Sequence, residues 1–238
     1  MAGRRHDTQL DPGKDPGFQN WLSAQGYAAL HLTVGVLVVL ICGWCFGEIA
    51  EDVSQGDPIV QIDRHVAVWF HQNATPAVTL VARTISFFGS VAWLMAVSVS
   101  VALFFVWRRD WLNASLVALV MGGGGALNVL LKHFFHRERP VLENPLVTLS
   151  SYGFPSGHTM GATLLYGLLA LLACKNIRNR AARLACVLAA FFWILLIGLT
   201  RIYLGAHYLT DVLGALAAGL FWLVSCWTAF EILRWRRY

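Results

Sequence analysis

The feature that constrains this chain most is a series of apolar runs, each close to the length of a bilayer crossing. They lie at about Leu30–Phe46, Phe87–Trp107, Trp111–Leu131, His158–Cys174, Leu184–Leu199 and Leu209–Leu233. A crossing helix needs about 20 predominantly apolar residues. In lipid the backbone must satisfy its own polar groups, which favours α-helices. The runs therefore predict an all-α polytopic membrane protein with six transmembrane helices and no β-strand of consequence. Composition agrees. Only 13% of the 238 residues are charged and 57% are hydrophobic, whereas a soluble domain carries roughly a quarter charged residues. There are too few charges to clothe a water-facing surface.

The positions of Lys and Arg set the expected orientation. Arg4, Arg5 and Lys14 precede the first span, and Arg108 and Arg109 separate the second from the third. Lys175, Arg178, Arg180 and Arg183 separate the fourth from the fifth, and Arg234, Arg236 and Arg237 close the chain. With alternating spans all four groups share a side, and the positive-inside rule makes that side cytoplasmic, with both termini inside. Residues 1–27 read as a flexible cytoplasmic tail and residues 28–238 as the membrane domain. The polar stretch before the first span is too long for a signal peptide's n-region, so that span is expected to be retained. The net charge of +5 does not imply nucleic acid. The basic residues sit at the ends of apolar runs and form no patch interleaved with aromatics.

Several local patterns have bland readings. The odd set Cys42, Cys45, Cys174, Cys186 and Cys226 lies in apolar segments, which argues against a disulfide framework. "CGWC" falls inside an apolar helix, not at the helix start that a redox motif requires, and reads as small-residue packing. "MGGGGA", Met121–Ala126, is mid-span, where glycine permits close helix approach. "PIVQIDRHVAVWFHQN", Pro58–Asn73, is too short to span and reads as an amphipathic helix on the outer surface. No internal repeat is evident.

Three groups of polar residues stand out against this background. "LKHFFHRERP" places Lys132, Arg137 and Arg139 at the outer end of the third span, a place where helix-end snorkelling alone would account for them. "YGFPSGHTMGA" places Ser156 as an N-cap with Gly157 and His158 opening the fourth span. Such a helix start offers free N–H groups to an anion, although an ordinary capped helix would look the same. "LTRIYLGAHYLTDVLGALAAG" carries Arg201, His207 and Asp211. His207 and Asp211 are four residues apart and share a helix face. A carboxylate there fixes the imidazole tautomer and frees the other ring nitrogen, although a polar pair tying helices together would also fit. Six alternating spans bring all three groups to the outer membrane face. Cations, two histidines, a carboxylate and a helix N-terminus at one level suit a dianionic ligand and proton transfer.

The three motifs together resemble the signature of the type 2 phosphatidic acid phosphatase family, in the same order. "LKHFFHRERP" has Lys132, six residues, then Arg139-Pro140; "PSGH" is intact at Pro155–His158; "TRIYLGAHYLTD" has Thr200-Arg201, five residues, His207, three residues, Asp211. The family usually has Ser where this chain has Thr200, which retains the hydroxyl. The resemblance spans about residues 60–230. It implies that His207 is the nucleophile that forms a phosphohistidine, that Asp211 orients it, and that His158 protonates the leaving oxygen and then activates water. It implies that Lys132, Arg139 and Arg201, with backbone N–H groups around Ser156 and Gly157, hold the phosphoryl oxygens. No metal and no other cofactor is implied. The substrate it implies is a lipid phosphate or diphosphate: phosphatidic acid, phosphatidylglycerol phosphate and undecaprenyl diphosphate all fit. The enzyme would be a multi-pass protein of the cell (inner) membrane with its site on the periplasmic or extracellular side. Its partners would be membrane lipids and no nucleic acid. A phosphotransferase of the same fold, or a non-catalytic anion binder or transporter, are the alternatives. A pure binder has no use for the His207–Asp211 pair beside His158.

Overall fold

The computed structural model describes residues 16–56, 58–143, 145–147 and 149–235. The helices are α1 (Pro16–Gln55), α2 (Pro58–Gln72), α3 (Pro76–Phe87), α4 (Val91–Trp107), α5 (Trp111–Ala118), α6 (Gly124–Phe135), α7 (Gly157–Asn176), α8 (Arg180–Tyr203) and α9 (Leu209–Trp235). A π-helical turn, Leu119–Gly123, joins α5 to α6. No strand occurs among the described residues, and six helical segments are long and apolar enough to cross a membrane. The chain is a multi-pass membrane protein.

The structure redraws some expected boundaries. α1 already begins at Pro16, inside the stretch expected to be a flexible tail; residues 1–15 lie outside the described residues. The second span starts earlier than its apolar run suggests. It consists of α3 and α4, Pro76–Trp107, interrupted at Phe88–Ser90. Thr75 caps α3 through the Val78 N–H with Pro76 in the first turn, and Ser90 caps α4 through the Trp93 N–H. The break is held by Tyr166, whose hydroxyl donates to Phe88 O at 2.9 Å and accepts from Trp93 Nε1 at 3.0 Å. The short amphipathic helix is present as α2.

α7 and α9 form the centre. Along each, 44% of the membrane-crossing stretch is buried, against 6% along α1. Their shared core includes Met160, Leu164, Leu168, Ala215, Ala218 and Leu223. Outside it, large apolar side chains such as Leu40, Val91, Leu103 and Leu130 are exposed, as expected where the solvent is lipid. The glycine run has the packing role its composition suggests. A Cβ on Gly123 would collide with Trp222, and one on Gly124 with Leu164, whereas Gly122 and Gly125 face open space.

The two ends of the bundle differ in chemistry. At one end Arg108, Arg109 and Arg234 line a cavity of about 530 Å³, and Lys175 pairs with Glu231 at 2.6 Å. The opposite end gathers the end of α6, the start of α7, the end of α8 and the start of α9. The packing at the glycines gives a direct test. Gly124→Val should lower the thermal unfolding midpoint in detergent, by about 1–3 kcal/mol of overpacking, while Gly125→Ala should leave it unchanged.

Candidate active site

Four helix ends and one loop build the site. α6 closes at His136, which takes a left-handed conformation (φ 48°) and donates its N–H to Lys132 O at 3.1 Å. That reversal sends the following strand of loop back across α9. Its return segment, Ser151–Gly153, forms a collar of carbonyls. Lys132 Nζ donates to Tyr152 O at 2.6 Å, and Arg139 Nε donates to Ser151 O at 2.6 Å. The α8–α9 connection turns at Gly205, whose φ of +67° is one that side chains beyond glycine rarely take. Arg139 Nη1 donates to Ala206 O at 2.6 Å in this turn.

His207 follows immediately, 2% exposed, with Asp211 fully buried behind it. Asp211 Oδ2 lies 3.3 Å from His207 Nδ1 and accepts the Tyr208 N–H at 2.9 Å. On the other side of the ring, Arg139 Nη1 is 3.1 Å from Nε2. A guanidinium can only donate, so this network assigns the proton to Nδ1 and the lone pair to Nε2. Burial pushes the His207 imidazole down to about 4, although the Asp211 hydrogen bond and charge oppose it and Arg139 and Lys132 add to it. The ring is therefore neutral near pH 7, with Nε2 available. Burial also lowers Arg139 from its ordinary value, with Asp211 working the other way, but arginine remains charged.

The remaining expected residues converge here. Arg201, in the last turn of α8, is 4% exposed. Its Nη1 donates to Ser86 Oγ at 2.6 Å, and its buried Nε has no partner among the described residues. A buried donor of this kind calls for an acceptor. His158, in the first turn of α7, is close enough to Arg201, His207, Arg139 and Lys132 to feel their charges. Gly157 faces the same space: a Cβ there would stand 3.2 Å from Asn128 Oδ1 and 3.9 Å from Lys132 Cε. The first-turn N–H groups of α7 have no intrahelical acceptors.

Ser156 is placed differently from its expected roles. Its hydroxyl makes no capping bond and instead accepts from Thr159 Oγ1 at 3.1 Å. Its N–H donates to Asp211 O at 3.0 Å. Ser156 thus ties the start of α7 to α9, and its own N–H is occupied by the protein. The Met160 N–H closes the first turn on Ser156 O at 3.0 Å, which leaves the N–H groups of Gly157, His158 and Thr159 without intrahelical acceptors.

The sequence motifs also leave out residues the structure brings in. Ser86 lies on α3, the half-span the apolar run did not reveal. Arg137 Nη1 donates to Asp211 Oδ1 at 2.5 Å and Nη2 to Asp63 Oδ2 at 2.7 Å. Arg137 was legible only as one more basic residue at a helix end, and Asp63 only as a polar position on an amphipathic helix.

Comparisons with known proteins place the chain in a family. Residues 113–235 match the PAP2 superfamily. The chain is 35% identical over 155 residues to Phosphatidylglycerophosphatase B of Bacillus subtilis, covering 63% of this chain and 75% of that protein. It is 32% identical over 180 residues to Decaprenylphosphoryl-5-phosphoribose phosphatase of Mycobacterium tuberculosis, covering 71% of this chain and 88% of that one. The crystal structure of a transmembrane PAP2 type phosphatidylglycerolphosphate phosphatase from Bacillus subtilis superposes with a TM-score of 0.75 at 28% identity, covering 82% of this chain and 96% of the other. The protonation of His207 can be read directly. Its ring resonances in the ligand-free protein should titrate with a midpoint near 4, and a midpoint at the ordinary value of about 6.5 would contradict the burial of this ring.

Proposed function

The chain belongs to the PAP2 superfamily, and on that premise we propose that it hydrolyses the phosphomonoester or diphosphate of a membrane lipid through a phosphohistidine formed on Nε2 of His207. One observation carries the reading: the His207 imidazole is held by Asp211 at Nδ1, with its other ring nitrogen turned toward Arg139. This is the nucleophile-and-orienter arrangement of covalent catalysis.

The remaining residues take their parts from position. Lys132, Arg139 and Arg201, with the Gly157 end of α7, hold the phosphoryl oxygens and offset the charge that grows on them in the transition state. Nε2 attacks phosphorus and the bond to the leaving oxygen breaks. His158 gives that oxygen a proton, then takes one from the water that attacks the N–P bond. The electron pair returns to Nε2 as phosphate leaves.

Membrane burial of the helices on which these groups sit favours a lipid over a soluble ester. Two relatives are named for lipid-borne phosphates, one a phosphatidylglycerophosphate and one a polyprenyl-linked sugar phosphate. Beside Arg139 lies a cavity of about 450 Å³ with Val60, Val68 and Leu142 in its wall as well as Arg64 and Tyr208. Neither His207 nor His158 lines it, so it suits the part of a substrate that does not react. Phosphatidylglycerol phosphate, undecaprenyl diphosphate and phosphatidic acid remain the candidate substrates. The site belongs on the periplasmic or extracellular face of the cell membrane, because Arg108, Arg109, Lys175 and Arg234 occupy the other end.

Phosphate release from these three lipids in detergent, with chelator present, tests the activity and ranks the substrates. Turnover of at least one is expected, and none by His207→Ala; undiminished turnover by that variant would overturn the nucleophile. In kcat/KM, which reports the phosphorylation step alone, His158→Ala should lose about a hundred- to ten-thousandfold on a lipid phosphate but much less on p-nitrophenyl phosphate, whose leaving group needs no proton. Equal losses on both substrates would remove the general-acid role.

A further inference from the structure

Behind the His207–Asp211 pair lies a second set of charges that the phosphate site does not use. Arg137 sits two residues before Arg139, yet its guanidinium points away from His207. Nη1 donates to Asp211 Oδ1 at 2.5 Å and to Thr210 Oγ1 at 2.6 Å, and Nη2 donates to Asp63 Oδ2 at 2.7 Å. Asp63 is 1% exposed and Thr210 is 1% exposed. Asp63 Oδ1 accepts the Thr210 N–H at 3.0 Å, and Oδ2 lies 2.5 Å from the Thr210 hydroxyl. The Arg137 guanidinium also lies over the Tyr208 ring, 4.7 Å from its centroid. Asp63 comes from α2, outside the residues 113–235 that match the family.

We propose that Arg137 and Asp63 are positioning residues for His207: Arg137 locks the Asp211 carboxylate in place, and Asp63 takes up enough of the guanidinium's charge to leave Asp211 its negative charge for the histidine. The proposal rests on the reading of His207 as nucleophile.

Two physical arguments support it. The first is geometric. Asp211 Oδ2 is occupied by His207 and the Tyr208 N–H, and Oδ1 by Arg137. With both oxygens bonded the carboxylate cannot turn, so the Nδ1–H tautomer and the direction of the Nε2 lone pair are fixed. The second is a charge count. An arginine facing Asp211 alone would neutralise it. Two buried carboxylates on one guanidinium leave the trio with a net charge of one minus. When Nε2 forms its bond to phosphorus while Nδ1 keeps its proton, the ring becomes cationic. The surplus negative charge of the trio then faces that ring. When water cleaves the N–P bond, the ring returns to neutral and the trio to its starting state.

The charges around His207 are Asp211 from α9, Lys132 from α6 and Arg139 from the α6–α7 loop, with His158 from α7 close by and Arg201 from α8 beyond it, facing His158, and Tyr208 next to His207. Arg64 and Asp63 reach Tyr208 from α2. Against this fixed background, removing one member of the trio changes the field at the ring with a sign that depends on the member. Asp63→Asn removes a negative charge, disfavours the imidazolium and moves the His207 ring titration to lower pH. Arg137→Gln removes a positive charge and moves it to higher pH. Arg137→Lys keeps the charge and should leave the midpoint near that of the unaltered protein.

The test measures the His207 ring titration and the steady-state kinetics of all three variants, in detergent, after circular dichroism shows each is folded. Opposite shifts for Asp63→Asn and Arg137→Gln are expected. Each should lower kcat by about ten- to a hundredfold, the scale on which partners behind a functional ligand act, with KM within about threefold. For Asp63→Asn and Arg137→Gln, shifts in the same direction, an unmoved midpoint, or an unchanged kcat would overturn the proposal. The ring titration reports the electrostatics whatever chemistry His207 performs. Failure of the nucleophile reading shows separately, as retained turnover in His207→Ala.

Discussion

Asp211 is fully buried, and a carboxylate in that position must be matched by donors or it neutralises. Here it is matched on every side. One oxygen takes His207 Nδ1 and the Tyr208 N–H, the other takes Arg137, and its backbone carbonyl takes the Ser156 N–H that starts α7. The same residue thus fixes the histidine's tautomer, sets where α7 begins relative to α9, and draws in α2 through Arg137 and Asp63. Loss of the carboxylate would leave the largely buried Arg137 with only Asp63 and Thr210 as partners and His207 with none at Nδ1, a costly state for a charge out of water.

The bilayer explains why this arrangement sits at a helix end. Charged groups are expensive in the hydrocarbon and cheap at its edge. The chain uses the ends of α6, α7, α8 and α9 to deliver Lys132, His158, Arg201 and Asp211 to one level, while the apolar lengths of those helices stay in lipid. Each cation is also tethered. The Tyr152 carbonyl holds Lys132, Ser151 and Ala206 hold Arg139, and Ser86 holds Arg201. Cations fixed in advance need little reorganisation when charge develops on a phosphoryl group.

Much of this was legible in the sequence because it is local. Apolar run length gives the spans, and the fixed spacing of His207 and Asp211 gives their shared helix face. What stayed hidden depends on tertiary contact. α3 ends at Phe87, before a break at Phe88–Ser90 that Tyr166 holds from a distant helix, so the apolar run seemed to begin only at Phe87. Ser156 has the sequence context of an N-cap, but Asp211 and Thr159 claim its N–H and hydroxyl. Arg137 reads as an ordinary interfacial arginine until Asp63, 74 residues earlier, is seen to complete its fork. No local pattern links the two.

The central claim is that the Nε2 of His207 is the atom that phosphorus reaches. Rapid quenching of the enzyme during turnover of a lipid phosphate, under alkaline conditions that preserve phosphohistidine, followed by peptide mapping, tests it most directly. Phosphate on His207 in the peptide that carries Arg201–Asp211 is the expected result. Phosphate on any other residue, or turnover with no phosphorylated peptide trapped at any quench time, would contradict the account.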